Sequence, residues 1–281
     1  MERYYLLGSP VAHSLSPAMM NYTFQKNGLD AKYEVIDTDE TMLPEVVHEL
    51  RAGRAAGWNV TMPVKHAMYA LCDELSAESR IGKSVNTVLN RGGKLYGYTT
   101  DGAGLMAALQ RAGEPVAGKK IVLLGTGGAA SAILIRAALD QAGEIAVFAN
   151  RPSSAVHVRQ IAEELLPLSE TRIRICSYED PSVLREELQD SRILIQATNV
   201  GMEHTEKEAA CLIPDSSFLH RDLYVYDIIY HPKETPLLKM AREAGLRAEN
   251  GCSMLIGQGA ESFRIWTGCD MPVDEVRALL F

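Results

Sequence analysis

The sequence predicts an α/β protein in two lobes. An N-terminal lobe is built on a mixed sheet, a doubly wound lobe follows, and C-terminal helices return to the first. Three observations carry this. Short apolar runs alternate with segments of helical spacing along nearly the whole chain, as parallel strands do when crossover helices join them. One such run, Ile121-Val122-Leu123-Leu124, ends in a glycine-rich turn, Gly125-Thr126-Gly127-Gly128, that opens onto an alanine-rich helical segment. Ser84–Leu89 and Lys94–Tyr98, joined across Asn90-Arg91-Gly92-Gly93, read as a hairpin, which puts an antiparallel pair into the first sheet.

In chain order, Arg3–Gly8 is the first strand. The loop after it ends at Ser16-Pro17, an N-cap followed by proline at N1, and Gly28 is the matching helix stop. Tyr33–Ile36 is a strand and Leu43–Ala52 a helix closing at Gly53. Gly57–Met62 is a third strand, followed by a helix over Pro63–Leu71. After the hairpin a helix runs from Gly102 to Arg111, and Gly113-Glu114-Pro115 punctuates the chain before the glycine-rich unit. Beyond that unit come strands at Glu144–Ala149, Arg172–Cys176, Arg192–Gln196, Tyr224–Ile229 and Leu246–Ala248. Helices at Ala155–Leu165 and Leu237–Ala244 lie between them. Met254–Trp266 and Val273–Leu280 are helical and fold back on the first lobe. The domains are therefore 1–103, completed by 254–281, and 104–253.

Composition excludes several classes of function. The chain has 281 residues and a formal charge of −8, so nucleic acid and anionic membranes are poor partners. No apolar run is long enough to cross a bilayer, and Met1-Glu2-Arg3 leads into a strand rather than a signal peptide, so a cytoplasmic protein is expected. The five cysteines contain no C-x-x-C pair, and the seven histidines have no metal-binding spacing, so neither a disulfide framework nor a metal is expected.

Gly125, Gly127 and Ala130 fit G-x-G-x-x-A, the dinucleotide fingerprint of a Rossmann domain. The first glycine permits the tight turn, the second admits a pyrophosphate, and the small third residue lets helix and strand lie close. Phosphate then sits on the helix N-terminus, among Thr126, Gly127, Gly128, Ala129 and Ala130. A cofactor carrying only a 2′-hydroxyl is usually met by an acid about 20 residues on. Here the second strand ends Asn150-Arg151-Pro152-Ser153-Ser154, with no acid and with a guanidinium that suits a 2′-phosphate, which favours NADP over NAD. Taken alone, Arg151 is equally a solvated loop residue and Asn150 a turn former.

In the first lobe, Ser14 and Ser16 share a face if extended and lie at a helix start, so their hydroxyls together suit a carboxylate; singly they read as loop polarity and an N-cap. Lys65 falls near a helix N-terminus, where the dipole disfavours a cation, whereas a neighbouring carboxylate such as Asp101 would favour it. By themselves, Lys65 reads as a surface lysine and Asp101 as an N-cap.

Gly8-Ser9-Pro10-Val11-Ala12-His13-Ser14-Leu15-Ser16-Pro17, Asn59-Val60-Thr61-Met62-Pro63-Val64-Lys65, Val85-Asn86-Thr87-Val88, Gly97-Tyr98-Thr99-Thr100-Asp101-Gly102, the glycine turn and Met254-Leu255-Ile256-Gly257-Gln258-Gly259-Ala260 together resemble the shikimate dehydrogenase family. The resemblance covers nearly the whole chain in order. It implies reversible, NADP-linked reduction of 3-dehydroshikimate to shikimate in aromatic amino-acid biosynthesis, by a monomer or homodimer. It further implies that Lys65 and Asp101 are the catalytic pair, that Ser14 and Ser16 hold the substrate carboxylate, and that Thr61, Asn86, Tyr230 and Gln258 meet its hydroxyls or ring. Thr198, Asn199, Val200, Met202, Ile228, Gly251 and Met254 would border the nicotinamide. Thr99, Thr126, Asn199 and His231 depart from the usual family residues without removing a catalytic group. Two alternatives stay open: a quinate/shikimate dehydrogenase using NAD or NADP, and a sensor that binds nucleotide and shikimate without turnover.

Overall fold

The computed structural model describes residues 1–281 and divides into two units, Met1–Gly104 with Leu255–Phe281, and Leu105–Met254. The N-terminal part of the first unit runs β1 (Glu2–Gly8), α1 (Ser16–Lys26), β2 (Ala31–Asp37), α2 (Leu43–Ala52), β3 (Gly57–Val60), α3 (Lys65–Leu71), β4 (Glu74–Leu75), α4 (Ala77–Gly82), β5 (Thr87–Arg91), β6 (Lys94–Tyr98) and the start of α5 (Asp101–Arg111). Its six-stranded sheet has the order β2-β1-β3-β5-β6-β4. Strand β5 is antiparallel to both neighbours, and the other pairings are parallel. The hairpin is as expected but tighter: Arg91 pairs with Lys94, leaving a two-residue turn at Gly92-Gly93.

Two local expectations need correction. Strand β3 stops at Val60 rather than Met62, because the chain turns at Thr61, whose carbonyl accepts the Val64 N–H at 3.1 Å. Helix α3 consequently starts at Lys65, not Pro63. Strand β4 and helix α4 carry no expectation from the sequence. Helix α4 has only six residues, too few for periodicity, although Ser76 caps it by accepting the Ser79 N–H at 3.1 Å.

The second unit continues α5 and adds β7 (Lys120–Leu124), α6 (Gly128–Leu139), β8 (Glu144–Ala149), α7 (Pro152–Leu165), β9 (Arg172–Ser177), α8 (Pro181–Gln189), β10 (Ile193–Gln196), β11 (Tyr224–Asp227), α9 (Pro236–Glu243), β12 (Ala248–Glu249) and the start of α10 (Cys252–Thr267). All six strands are parallel, in the order β12-β11-β10-β7-β8-β9. This is the doubly wound order, reversing between β7 and β10. Helices cover such a sheet on both faces, which is why Ile121–Leu124 and Ile193–Ile195 are unbroken buried apolar runs. Glu114, expected to be loop punctuation, is instead a buried anchor. Arg192, Lys119 and Arg247 converge on its carboxylate, and Arg192 foremost, with Lys119, holds its pKa down at about 2 against the opposing effect of burial.

The rest of α10 and α11 (Val273–Leu280) return to the first unit. There Phe263, Trp266 and Val276 pack with Tyr4, Met19, Phe24 and Tyr33 on one face of the sheet, while Trp58, Val60, Leu43 and Met68 form the core on the other. The alternation of a strand sends Trp58 and Val60 to one face and Asn59 between them to the opposite one, buried at 5% exposure. A polar residue inside an otherwise apolar strand must find partners, and those partners lead to the site.

Candidate active site

One edge of the first sheet collects the polar residues. Strands β1 and β3 are parallel, so the loops leaving them, carrying Ser14 and Thr61, emerge at the same edge. Because β5 is antiparallel, Asn59 pairs with Thr87 and Thr87 with Tyr98, which brings the start of β5 and the end of β6 to that edge too. Asn86 and Asp101 are thereby delivered beside Lys65.

Lys65 Nζ lies 2.6 Å from Asp101 Oδ2, with the two side chains 21% and 13% exposed. Asn86 Nδ2 donates to Asp101 Oδ1 at 2.8 Å. Asp101 is the first residue of α5, where the helix dipole favours an anion, whereas Lys65 opens α3, where the dipole disfavours a cation. Asp101 is not an N-cap: both its oxygens serve side chains. Nor does Ser16 cap α1. It is the first helical residue, and the Ser14 hydroxyl accepts its backbone N–H at 3.2 Å, so the two serines are linked. Gln258, on α10, donates its amide to the Leu255 carbonyl at 2.9 Å. Ser14, Ser16, Thr61, Lys65, Asn86, Asp101 and Gln258 all belong to the first unit; Tyr230 belongs to the second.

In the second unit, Gly125, Asn150, Thr198 and Ile228 follow the ends of four parallel strands and so lie at the carboxyl edge of the sheet, where open α/β sheets bind ligands. Gly125 has φ +116°, and a Cβ there would come within 2.7 Å of the Ala197 carbonyl oxygen, so the turn requires glycine. At Gly127 and Gly128 a Cβ would meet nothing within 4 Å. Gly127 caps α6 without a side-chain acceptor, and the first N–H groups of the helix open onto that space. The end of β8 presents exposed Asn150 and Arg151 and no carboxylate. The donor set therefore suits a pyrophosphate at α6 and a further phosphate near Arg151.

Two residues that order this edge escaped the sequence reading. Gln196, 2% exposed, accepts the Thr198 N–H at 2.6 Å and donates to the Val200 carbonyl at 2.9 Å. Asp227, fully buried, accepts the Ile229 N–H at 3.0 Å and the Thr235 hydroxyl at 2.7 Å. Each is a polar residue closing an apolar strand, and that was the available signal. Gly251 approaches the loop after β11 so closely that a Cβ would fall 1.9 Å from the Ile228 carbonyl oxygen. The Met254 N–H donates to the Tyr226 hydroxyl at 3.0 Å.

Residues 6–88 match the family model described as the shikimate dehydrogenase substrate binding domain, and residues 251–281 that of the shikimate 5′-dehydrogenase C-terminal domain. The chain is 40% identical over 276 residues to the shikimate dehydrogenase (NADP(+)) of Listeria monocytogenes, a match spanning 98% of this chain and 94% of that one. The crystal structure of shikimate 5-dehydrogenase from Listeria monocytogenes in complex with shikimate and NAD superposes with a TM-score of 0.95 at 39% identity, covering 100% of this chain and 96% of that one. The 5-ketofructose reductase of Gluconobacter sp. strain CHM43 gives a TM-score of 0.87 at 29% identity, covering 100% and 99%. No helix is long and apolar enough to cross a membrane.

Proposed function

The chain belongs to the shikimate dehydrogenase family, and from that premise we propose that it interconverts shikimate and 3-dehydroshikimate with NADP. The observation that carries the proposal is the Lys65–Asp101 pair at 2.6 Å, braced by Asn86, in a chain this similar to NADP-dependent shikimate dehydrogenases. An intact pair of this kind argues against a sensor without turnover. The first unit takes the ring-bearing acid and the second takes the dinucleotide.

NADP, when bound, supplies the hydride acceptor or donor at the nicotinamide. The first-turn N–H groups of α6 hold the pyrophosphate, and Arg151 with Asn150 and Ser153 meets the 2′-phosphate. Thr198, Val200, Ile228, Gly251 and Met254 border the nicotinamide. Ser14 and Ser16 donate to the substrate carboxylate, which an overall acidic chain can accept only through placed donors of this sort. Thr61, Asn86, Tyr230 and Gln258 hold the hydroxyls and the ring. During oxidation neutral Lys65 takes the proton of the reacting hydroxyl as its C–H leaves as hydride; during reduction ammonium Lys65 returns a proton to the forming alkoxide. Asp101 keeps Lys65 aimed at the reacting hydroxyl. The enzyme acts in aromatic amino-acid biosynthesis in the cytoplasm, as a monomer or homodimer.

The deciding experiment follows reduced-nicotinamide absorbance with purified protein, shikimate or quinate, and NADP+ or NAD+. Catalytic efficiency highest with shikimate and NADP+ supports the proposal. A second reading, a quinate/shikimate dehydrogenase tolerant of NAD, draws on the relative solved with shikimate and NAD, and comparable efficiencies across the four pairings would favour it. No oxidation of either acid would refute both.

A further inference from the structure

Beneath the Lys65–Asp101 pair lies a chain of buried polar side chains that the proposed chemistry does not use. Tyr33, Asn59, Thr87, Thr100 and Ser262 are each 5% exposed or less. They come from four strands or strand ends and from α10, and hydrogen bonds join them without a break. We propose that Tyr33, acting through Asn59, fixes Asn86 in this hydrogen-bond network and so positions the Asp101–Lys65 pair for proton transfer.

The direction of each bond follows from what its groups can donate. The Tyr33 hydroxyl donates to Asn59 Oδ1 at 2.9 Å. With its oxygen so engaged, Asn59 turns Nδ2 toward the Asn86 carbonyl at 3.1 Å, the Thr87 hydroxyl at 3.0 Å and the Ser262 hydroxyl at 2.9 Å. A backbone carbonyl only accepts, so the amide orientation is unambiguous. The Ser262 hydroxyl has one proton, and the Gln258 carbonyl takes it at 2.9 Å. The Thr87 hydroxyl, receiving from Asn59, gives its own proton to the Ser262 hydroxyl at 2.7 Å, so the link from Asn59 to Asn86 is the Asn86 backbone carbonyl. Asn86 Oδ1 accepts the Thr100 N–H at 2.8 Å, which leaves Asn86 Nδ2 to donate to Asp101 Oδ1 at 2.8 Å. Lys65 Nζ donates to the other carboxylate oxygen, Asp101 Oδ2. Tyr33 thus fixes Asn59, Asn59 holds the Asn86 backbone, and the Asn86 amide holds Asp101, each bond of this buried network restricting the next group.

The chain begins beside the serine assigned to the substrate carboxylate. Complete burial pushes the Tyr33 phenol well above the ordinary tyrosine range, and the neighbouring Ser16 hydroxyl partly offsets this. Both backbone groups of Tyr33 are clamped by the Asn21 side chain of α1, at 2.8 and 2.9 Å, so the helix that opens with Ser16 and the strand that carries Tyr33 move together. The titratable members of the chain are Tyr33, Asp101 and Lys65; the others hold no ionisable group. Tyr33 and Asn59 are thus positioning residues that tie the anchor for the acid to the site of proton transfer, an assignment that rests on the proposed dehydrogenase activity.

The test compares wild type, Tyr33→Phe, Thr87→Val and Thr87→Ser by pH profiles of kcat for shikimate oxidation with NADP+, alongside KM for NADP+ and thermal melts. Tyr33→Phe and Thr87→Val are expected to lower kcat by about tenfold with KM for NADP+ unchanged. The midpoints of their acid limbs should move away from that of the wild type, because that limb reports the Lys65–Asp101 pair the network positions. Thr87→Ser, which keeps the hydroxyl, should restore the wild-type profile. Profiles of Tyr33→Phe and Thr87→Val that superimpose on the wild type, whatever the melts show, would overturn the inference while leaving the dehydrogenase reading intact. A wild type that does not oxidise shikimate would overturn both.

Discussion

Replacing Lys65 by alanine isolates proton transfer from binding. The side chain reaches its carboxylate partner at 2.6 Å, and nothing else cationic is paired with Asp101. A positioned general acid or base contributes about 10²–10⁴ in rate, or about 3–5 kcal/mol in the barrier, so kcat is expected to fall by about 10²-fold or more. Asp101 keeps the Asn86 amide at 2.8 Å, and the serine pair is untouched, so KM for shikimate should change only modestly. The mostly buried carboxylate, 13% exposed, loses its cation, which costs about 1–3 kcal/mol of stability and should appear as a lower melting temperature. Initial rates of shikimate oxidation across substrate concentration separate the two parameters. Near-normal kcat in Lys65→Ala, or a loss confined to KM, would refute the proton-transfer role.

Arg151→Ala should raise KM for NADP while leaving that for NAD roughly unchanged; equal losses for both cofactors would point to adenine stacking rather than a 2′-phosphate contact. Burial pushes the Asp227 carboxyl up to about 6, with the Thr235 and Ile229 donors acting the other way. A raised carboxyl contributes stability below its unfolded value and loses it as pH rises through its folded one. Asp227→Asn is therefore expected to gain up to about 3 kcal/mol relative to wild type above pH 6 and to lose that advantage near pH 4; a pH-independent difference in denaturant titrations would exclude the effect. Gly251→Ala must displace backbone, since its Cβ would sit 1.9 Å from the Ile228 oxygen. A loss of about 1–3 kcal/mol with a raised KM for NADP is expected, and an unchanged melt with unchanged KM would contradict that close approach.

The sequence by itself determined the elements whose signals are local. Alternating strands and helices, the fingerprint turn with its Gly125, and the hairpin each rest on periodicity or on backbone conformations that few residues adopt. The glycines at 127 and 128 marked a turn that stays open, and the strand ending in Asn150 and Arg151 without an acid was equally plain in the sequence; their roles toward the dinucleotide are part of the proposal. The resemblance carried by short motifs supplied Lys65 and Asp101. Only the tertiary structure decided what those residues meet. That Asn86 braces Asp101 depends on β5 running antiparallel, and that Asn59, Thr87 and Ser262 converge depends on α10 returning to the first sheet across more than half the chain. Ser16 and Asp101 were open to reading as N-caps because a cap and a binding hydroxyl or a paired carboxylate look alike in one dimension. Glu114 and Asp227 passed as ordinary polar residues for the same reason: burial, and the partners it demands, are properties of the packed interior and are not written at any single position of the chain.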